Sequence, residues 1–191
     1  PNVHLRLDAN GAWDTDTATE ALQELSQYHL EYLEQPVPAN DLAGMRQLRK
    51  LQLCRIAADE SVSTIDSAQN LLRMGAADIL VLKPTRLGGI RPALKLAQQA
   101  ASNSVDCVVT TNFDSSIGVA TALQLAASLP NTGMAHGLST ARHLAADLVI
   151  NPLVPNRGML RLPSTPGIGL ELDEAALETA ATDDWTTHQT P

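Results

Sequence analysis

Short apolar runs alternate along this chain with longer segments whose apolar residues recur at helical spacing. The runs VHLRLD (3–8), LEYLE (30–34), RIAAD (55–59) and ILVLK (79–83) each end on a polar residue. Between them, Thr15–Tyr28 places Ala18, Leu22, Leu25 and Tyr28 on one helical face. Asp41–Leu51 repeats the pattern with Leu42, Met45 and Leu48, and Asp41 stands where an N-cap belongs. Ile65–Met74 carries Ala68, Leu71 and Leu72, followed by Gly75 as a C-cap. Ile90–Ala101 and Ser116–Ser128 are Ala- and Leu-rich helices, and a shorter helix is predicted over Thr140–Leu148. Asp106–Thr111 reads as a fifth strand and Gly133–His136 as a weaker sixth.

Strands alternating with helices predict an α/β fold of parallel strands, here about six βα units. A closed eight-stranded barrel takes about 250 residues, so six units make a partial TIM-type (β/α) barrel or an open sheet. The barrel is favoured because four successive strands end in a reactive side chain. A doubly wound sheet gathers its site at one switch point, fed by few strands. The barrel portion is assigned to residues 1–150. Residues 151–191, beginning in the Pro- and Gly-rich NPLVPNRGMLRLPSTPGIGL, form an irregular wrapping segment and tail. Within it we expect a short strand at Met159–Leu162, a helix in LDEAALETAA and a loose end, TDDWTTHQTP.

Composition narrows the function classes. Aromatics are 3% of the residues, so the core rests on Leu, Ile, Val and Ala, as parallel strands under helices require. A formal charge of −8 with no basic run argues against a nucleic-acid surface. There is no apolar run of about 18 residues and no signal-peptide pattern, so the default is a cytoplasmic protein without membrane partners. The sequence does not specify an oligomeric state. Cys54 and Cys107 lack metal-ligand spacing and read as free thiols. The chain opens at Pro1, almost on a strand, and is read as a fragment.

The candidate chemistry lies at the strand ends. Asp8, Glu34, Asp59 and Lys83 follow one another at steps of 26, 25 and 24 residues. In βα units the C-terminal strand ends share one face, so three carboxylates and an amine point toward one place. Hard oxygen ligands suit Mg²⁺, with Mn²⁺ as the alternative. The competing explanation, that acidic residues cap the following helices, covers one such residue better than three in consecutive units. Lys83 is the candidate acid–base or electrostatic group, against a plain strand-mouth lysine. Asn10 either orients a ligand or makes an Asx-turn, and Glu60 either pairs with a lysine or is simply exposed. Asp114, Ser115, Ser116 and Gly118 open a helix that would hold a substrate carboxylate or merely be capped. Glycines in TRLGGI (85–90), near Arg86, would cradle an anion or make a tight turn. His136 would line the pocket or be hydrogen-bonded structurally. No nucleophile triad, P-loop or dinucleotide fingerprint is present.

The stretches LDANGAW (7–13), EQP (34–36), ADES (58–61), LKPTRLGG (82–89), FDSSIG (113–118), AHGLST (135–140) and PGIGLEL (166–172) together resemble the enolase superfamily, in its muconate-lactonizing-like branch. LKPTRLGG and AHGLST are most similar to the o-succinylbenzoate synthase family within it. The resemblance implies Mg²⁺ on Asp8, Glu34 and Asp59, with Lys83 as an active-site lysine. A Lys or His base with Mg²⁺ stabilising an ene-diolate is the established pattern of that superfamily. The implied substrate is a small carboxylate and the implied reaction a dehydration yielding o-succinylbenzoate, in menaquinone or phylloquinone biosynthesis. N-succinylamino acid racemase, dipeptide epimerase and a non-catalytic barrel remnant are the alternatives. The resemblance assigns proton abstraction to another lysine, in a K-x-K motif one strand before Asp8. The matching stretches correspond to barrel strands three to eight, so the 191-residue chain alone is expected to be inactive.

Overall fold

A computed structural model of the chain describes residues 3–130 and 133–181. Five strands, β1 (Arg6–Asp8), β2 (Tyr32–Glu34), β3 (Ile56–Ala58), β4 (Ile79–Leu82) and β5 (Asp106–Val109), form one sheet in the order β1-β2-β3-β4-β5. Every neighbouring pair is parallel. Strand order therefore follows chain order without reversal, so there is no switch point of the doubly wound kind. This is an arc of a (β/α) barrel.

Five helices connect or follow the strands: α1 (Thr15–Leu25), α2 (Leu42–Lys50), α3 (Ile65–Met74), α4 (Ile90–Ser102) and α5 (Ser116–Ser128). Local chemistry sets their ends. Asp14, Asp41 and Thr64 accept N–H groups of the first turns of α1, α2 and α3. Gly75 ends α3 at φ 60°, a left-handed position that glycine adopts without steric cost. The first helix stops at Leu25 and tightens into a 3₁₀ turn through Tyr28, closed by His29 at φ 51°.

All five helices lie on one face of the sheet. Ala18 and Leu22, Met45 and Leu48, Ala68 and Leu71, Leu96 and Ala100, and Val119 and Leu125 join a single buried cluster with Leu33, Ile56, Ala58, Leu80, Leu82 and Val109. Burying a leucine or isoleucine of this kind contributes about 1.5–3 kcal/mol. A separate, smaller cluster, Tyr32, Ala57, Ile79, Val81, Val108 and Met134, fills the other face. That inner face is also crossed by Arg6. Its guanidinium lies 4.7 Å from the Tyr32 ring centroid and pairs with Glu31 at 2.6 Å. The same group donates to the Ala135 carbonyl at 2.7 Å, linking the first strand to the last inner segment.

Three expectations need correction. Gly133–His136 is not a strand. The sixth unit is reduced to one parallel bridge, Thr110↔Gly137, because the His136 ring takes the Val109 N–H that a longer ladder would use. Thr140–Leu148 is not an α-helix but a 3₁₀ turn over Ala141–His143. Asp147 is held instead by the start of α5, and Val149 is bridged to Leu172, so these long-range contacts replace the local helix with a series of bends. Met159–Leu162 is not a strand either. Arg157 and Gly158, both at positive φ, make a tight turn joined by the Asn156↔Met159 bridge.

The helix in LDEAALETAA is present as α6 (Glu174–Ala180), capped by Asp173. Leu153 and Leu160 of the wrapping segment pack against the helix-side core. The tail expected to be loose, residues 182–191, lies outside the described residues. Both cysteines are free, and burial pushes the Cys107 thiol up to about 12. Among the described residues no helix is long and apolar enough to cross a membrane.

Candidate active site

Strand alternation decides where each polar group faces. Leu7, Leu33, Ala58, Leu82 and Val109 belong to the helix-side core. Their chain neighbours Asp8, Glu34, Asp59, Lys83 and Thr110 must therefore face the inner side. All five stand at the C-terminal ends of their strands or one residue beyond. Asp8 and Glu34 are direct register partners.

The electrostatics follow from this gathering. Burial first, then the Asp8 and Asp59 carboxylates, push the Glu34 carboxyl up to about 8, while Lys83 acts in the opposite direction. Lys83 Nζ donates to Asp59 Oδ2 at 2.5 Å, with the two side chains 12% and 9% exposed. The other oxygen, Asp59 Oδ1, is buried without a hydrogen-bond partner, and so is Glu60 Oε2. Burial, followed by the Asp59 and Asp8 charges, also raises the Glu60 carboxyl. Glu60 is thus part of the acidic cluster rather than a free surface charge.

The cluster is gathered but not closed. Among the described residues, no three His, Cys, Asp or Glu side chains converge tightly enough to hold a metal ion as placed. Lys83 occupies one Asp59 oxygen instead. The donor set nevertheless suits a hard divalent cation: every candidate atom is a carboxylate oxygen, and an orphaned buried oxygen lacks a positive partner. A cleft of about 840 Å³, lined by Arg46, Arg49, Lys50 and Arg55, lies at the opposite ends of the strands and contains none of these groups.

The remaining candidates divide. Asn10, at φ 47°, uses its backbone: its N–H donates to Asp8 Oδ1 at 2.9 Å, so an Asx-turn closed by Asp8 is present. Asp114 accepts from the Asn112 N–H at 3.2 Å, and a Cβ on Gly118 would lie 2.6 Å from the Asp114 Cβ. Gly118 is therefore a packing requirement. Ser115 is the residue before α5 and makes no side-chain cap. Ser116 is fully buried. Its N–H and hydroxyl both bind the Asp147 carboxylate, the hydroxyl at 2.7 Å, and Ser116 Oγ accepts from the Leu153 N–H. The helix start does hold a carboxylate, but it is the chain's own. The glycines after Lys83 make tight turns, Arg86 N–H to Lys83 O and Gly89 N–H to Pro84 O.

His136 Nδ1 accepts from the Val109 N–H at 3.1 Å, which makes it a structural histidine. Burial, then Arg6, lowers its pKa below the ordinary 6.5. A histidine depressed in the folded state contributes stability above its unfolded pKa and loses it as pH falls through the folded value. We expect the denaturation midpoint of the protein to drop below about pH 6.5 more steeply than that of His136→Gln. Parallel midpoint-versus-pH curves would place the acid sensitivity elsewhere.

Two site residues escaped the motif reading. Thr110 continues the strand-end series, and its buried hydroxyl has no partner. Its position two residues after Val108 was the available signal. Gln35 lies inside EQP yet carried no assigned role.

Residues 1–176 match the family described as Enolase C-terminal domain-like. The chain belongs to the enolase superfamily. Among superfamily relatives, an o-succinylbenzoate synthase of Thermobifida fusca is 37% identical over 95% of this chain and 56% of its own length. Muconate cycloisomerase 1 of Rhodococcus opacus is 31% identical over 92% of this chain and 47% of its own. In structure, the muconate lactonizing enzyme of Pseudomonas fluorescens, crystallised with muconolactone, superposes with TM-score 0.87 at 31% identity, covering 93% of this chain and 48% of that one. The L-Ala-D/L-Glu epimerase of Bacillus subtilis gives 0.81 at 30% identity, covering 88% and 47%. The chain thus spans about half the length of the superfamily members it matches.

Proposed function

We propose that this chain is the metal-bearing part of a cytoplasmic Mg²⁺-dependent lyase that dehydrates a small carboxylate, 2-succinyl-6-hydroxy-2,4-cyclohexadiene-1-carboxylate, to o-succinylbenzoate. One observation carries the reading: Asp8, Glu34, Asp59 and Lys83 face one inner surface at the C-terminal ends of four successive parallel strands. Similarity to o-succinylbenzoate synthases at 37% and 40% identity supports the choice of reaction.

The chemistry follows from the side chains. A proton α to a carboxylate is weakly acidic. Its transfer to a base, for which the resemblance implies a lysine one strand before Asp8 in the full-length polypeptide, leaves a dianion. Departure of the β-hydroxyl as water then gives the aromatic product. Asp8, Glu34 and Asp59 would hold the Mg²⁺, which when bound supplies charge stabilisation at the substrate carboxylate. Lys83, nearly buried and held by Asp59 at 2.5 Å, presents a cation aimed from one direction. In a dehydration it stabilises the developing negative charge. In a racemisation it would also have to give and take a proton, and the superposition on a dipeptide epimerase keeps that as the second reading.

The test is a comparison of kcat/KM for the native full-length polypeptide with Mg²⁺. The substrates are the dehydration substrate, N-succinylamino acids, dipeptides and muconate. Dehydration should dominate. Faster racemisation or epimerisation would replace the proposal with the second reading, and no turnover on any substrate would leave a barrel remnant.

A further inference from the structure

Gln35 is fully buried, although it is polar and sits at a loop start. Its backbone is at φ 34°, a left-handed conformation that costs a non-glycine residue on the order of 1 kcal/mol or more. Such a residue persists only where its surroundings over-determine it. Here they do. Gln35 Oε1 accepts the N–H groups of both Asp59 and Ser61, each at 3.1 Å. Gln35 Nε2 donates to the Val37 carbonyl at 2.8 Å and to Ser61 Oγ at 2.9 Å. Ser61 Oγ in turn donates to the Ala39 carbonyl at 2.9 Å. On the other side, the Gln35 carbonyl accepts the Gly11 N–H at 2.7 Å.

One residue therefore ties three consecutive loops. Its carbonyl holds the loop after Asp8, its own backbone follows Glu34, and its side chain holds the backbone of Asp59. We propose that Gln35 is a positioning residue that locks the three carboxylate-bearing loops into one relative placement. It touches no substrate and acts through Glu34 and Asp59. The proposal rests on reading these carboxylates as metal ligands, but the lock itself is independent of metal.

Glutamine is chemically required for this arrangement. The site presents two backbone donors on one side and two acceptors on the other. A glutamate could not donate to the Val37 carbonyl while ionised. A methionine would fill the volume and leave two buried N–H groups unpaired.

The experiment uses the native full-length polypeptide, stripped of metal, with Gln35→Met. Hydrogen exchange is read by mass spectrometry over Asp59–Ser61, with β4 as internal reference. We expect exchange at Asp59–Ser61 to accelerate at least ~10-fold while β4 is unchanged. Mn²⁺ affinity, read by electron paramagnetic resonance on folded protein, should weaken by about 10- to 100-fold, the usual effect of losing a group that orients ligands. Equal acceleration in β4 would make Gln35 a general stability residue, and unchanged exchange would remove the lock; either overturns the proposal. If the wild type takes up no Mn²⁺, the metal reading fails and the exchange result alone decides the lock. If Gln35→Met does not fold, Ser61→Ala carries the test. It removes the Ser61 Oγ that holds Gln35 Nε2 at 2.9 Å, so exchange at 59–61 should rise while β4 is unchanged. Unchanged exchange there, or an equal rise in β4, would overturn the proposal.

Discussion

Replacing Lys83 with alanine is expected to lower kcat of the native full-length polypeptide by at least ~10²-fold, within the usual scale for acid–base and charge-stabilising groups. KM should change little if Lys83 acts on the reacting centre, since it lies nearly buried against Asp59 rather than on an outer binding surface. The substitution also leaves the Asp59 carboxylate without its partner at 2.5 Å. Truncating one side of a nearly buried pair costs about 3–5 kcal/mol, so thermal unfolding must be recorded beside the kinetics. Lys83→Arg separates the roles. Arginine keeps the positive charge but does not release a proton near neutral pH. A dehydration that needs only the charge should survive it in large part, whereas racemisation should fail. An almost unchanged kcat in a folded Lys83→Ala would return Lys83 to a strand-end residue.

Glu34→Gln is the second large effect. Glu34 is the central member of the carboxylate series and the register partner of Asp8. Its raised pKa, about 8, reflects burial and the neighbouring Asp8 and Asp59 carboxylates, which outweigh the opposing pull of Lys83. A divalent ion would relieve that repulsion, and a glutamine offers one weaker oxygen in place of a charged ligand. We expect Mg²⁺ affinity by calorimetry to fall by at least ~10²-fold, more than losing a group that merely orients a ligand, with activity falling alongside. Equal affinity in wild type and variant would exclude Glu34 as a ligand. The effect on metal-free stability should have the opposite sign. Removing the titrating carboxyl from a crowded acidic cluster relieves repulsion, so the variant should melt no lower than wild type in chelator.

The period of the chain determined most of the architecture. Strand ends at Asp8, Glu34, Asp59 and Lys83 are legible because each closes an apolar run, and parallel strands need helices between them. Caps at Asp41 and Gly75 are legible because their chemistry is local. That the four groups gather at one end of the sheet also follows from sequence, since parallel strands put their C-terminal ends on one side. Their inner-face placement is set by which neighbours join the helix-side core.

Only the tertiary structure decided what depends on distant partners. Thr140–Leu148 has helical composition, but Asp147 is drawn to the Ser116 amide and hydroxyl, an attraction between residues far apart in sequence. Ser116 looked available for a substrate carboxylate, and that same contact makes it structural. The sixth strand is cut to one bridge because a histidine ring substitutes for backbone at Val109. Gln35 gives no periodic signal; its role exists only once the Asp59 and Ser61 amides arrive beside it. Local propensity and spacing are written in consecutive residues. Hydrogen bonds across loops depend on where the folded sheet brings those loops together, and a single sequence does not display that placement.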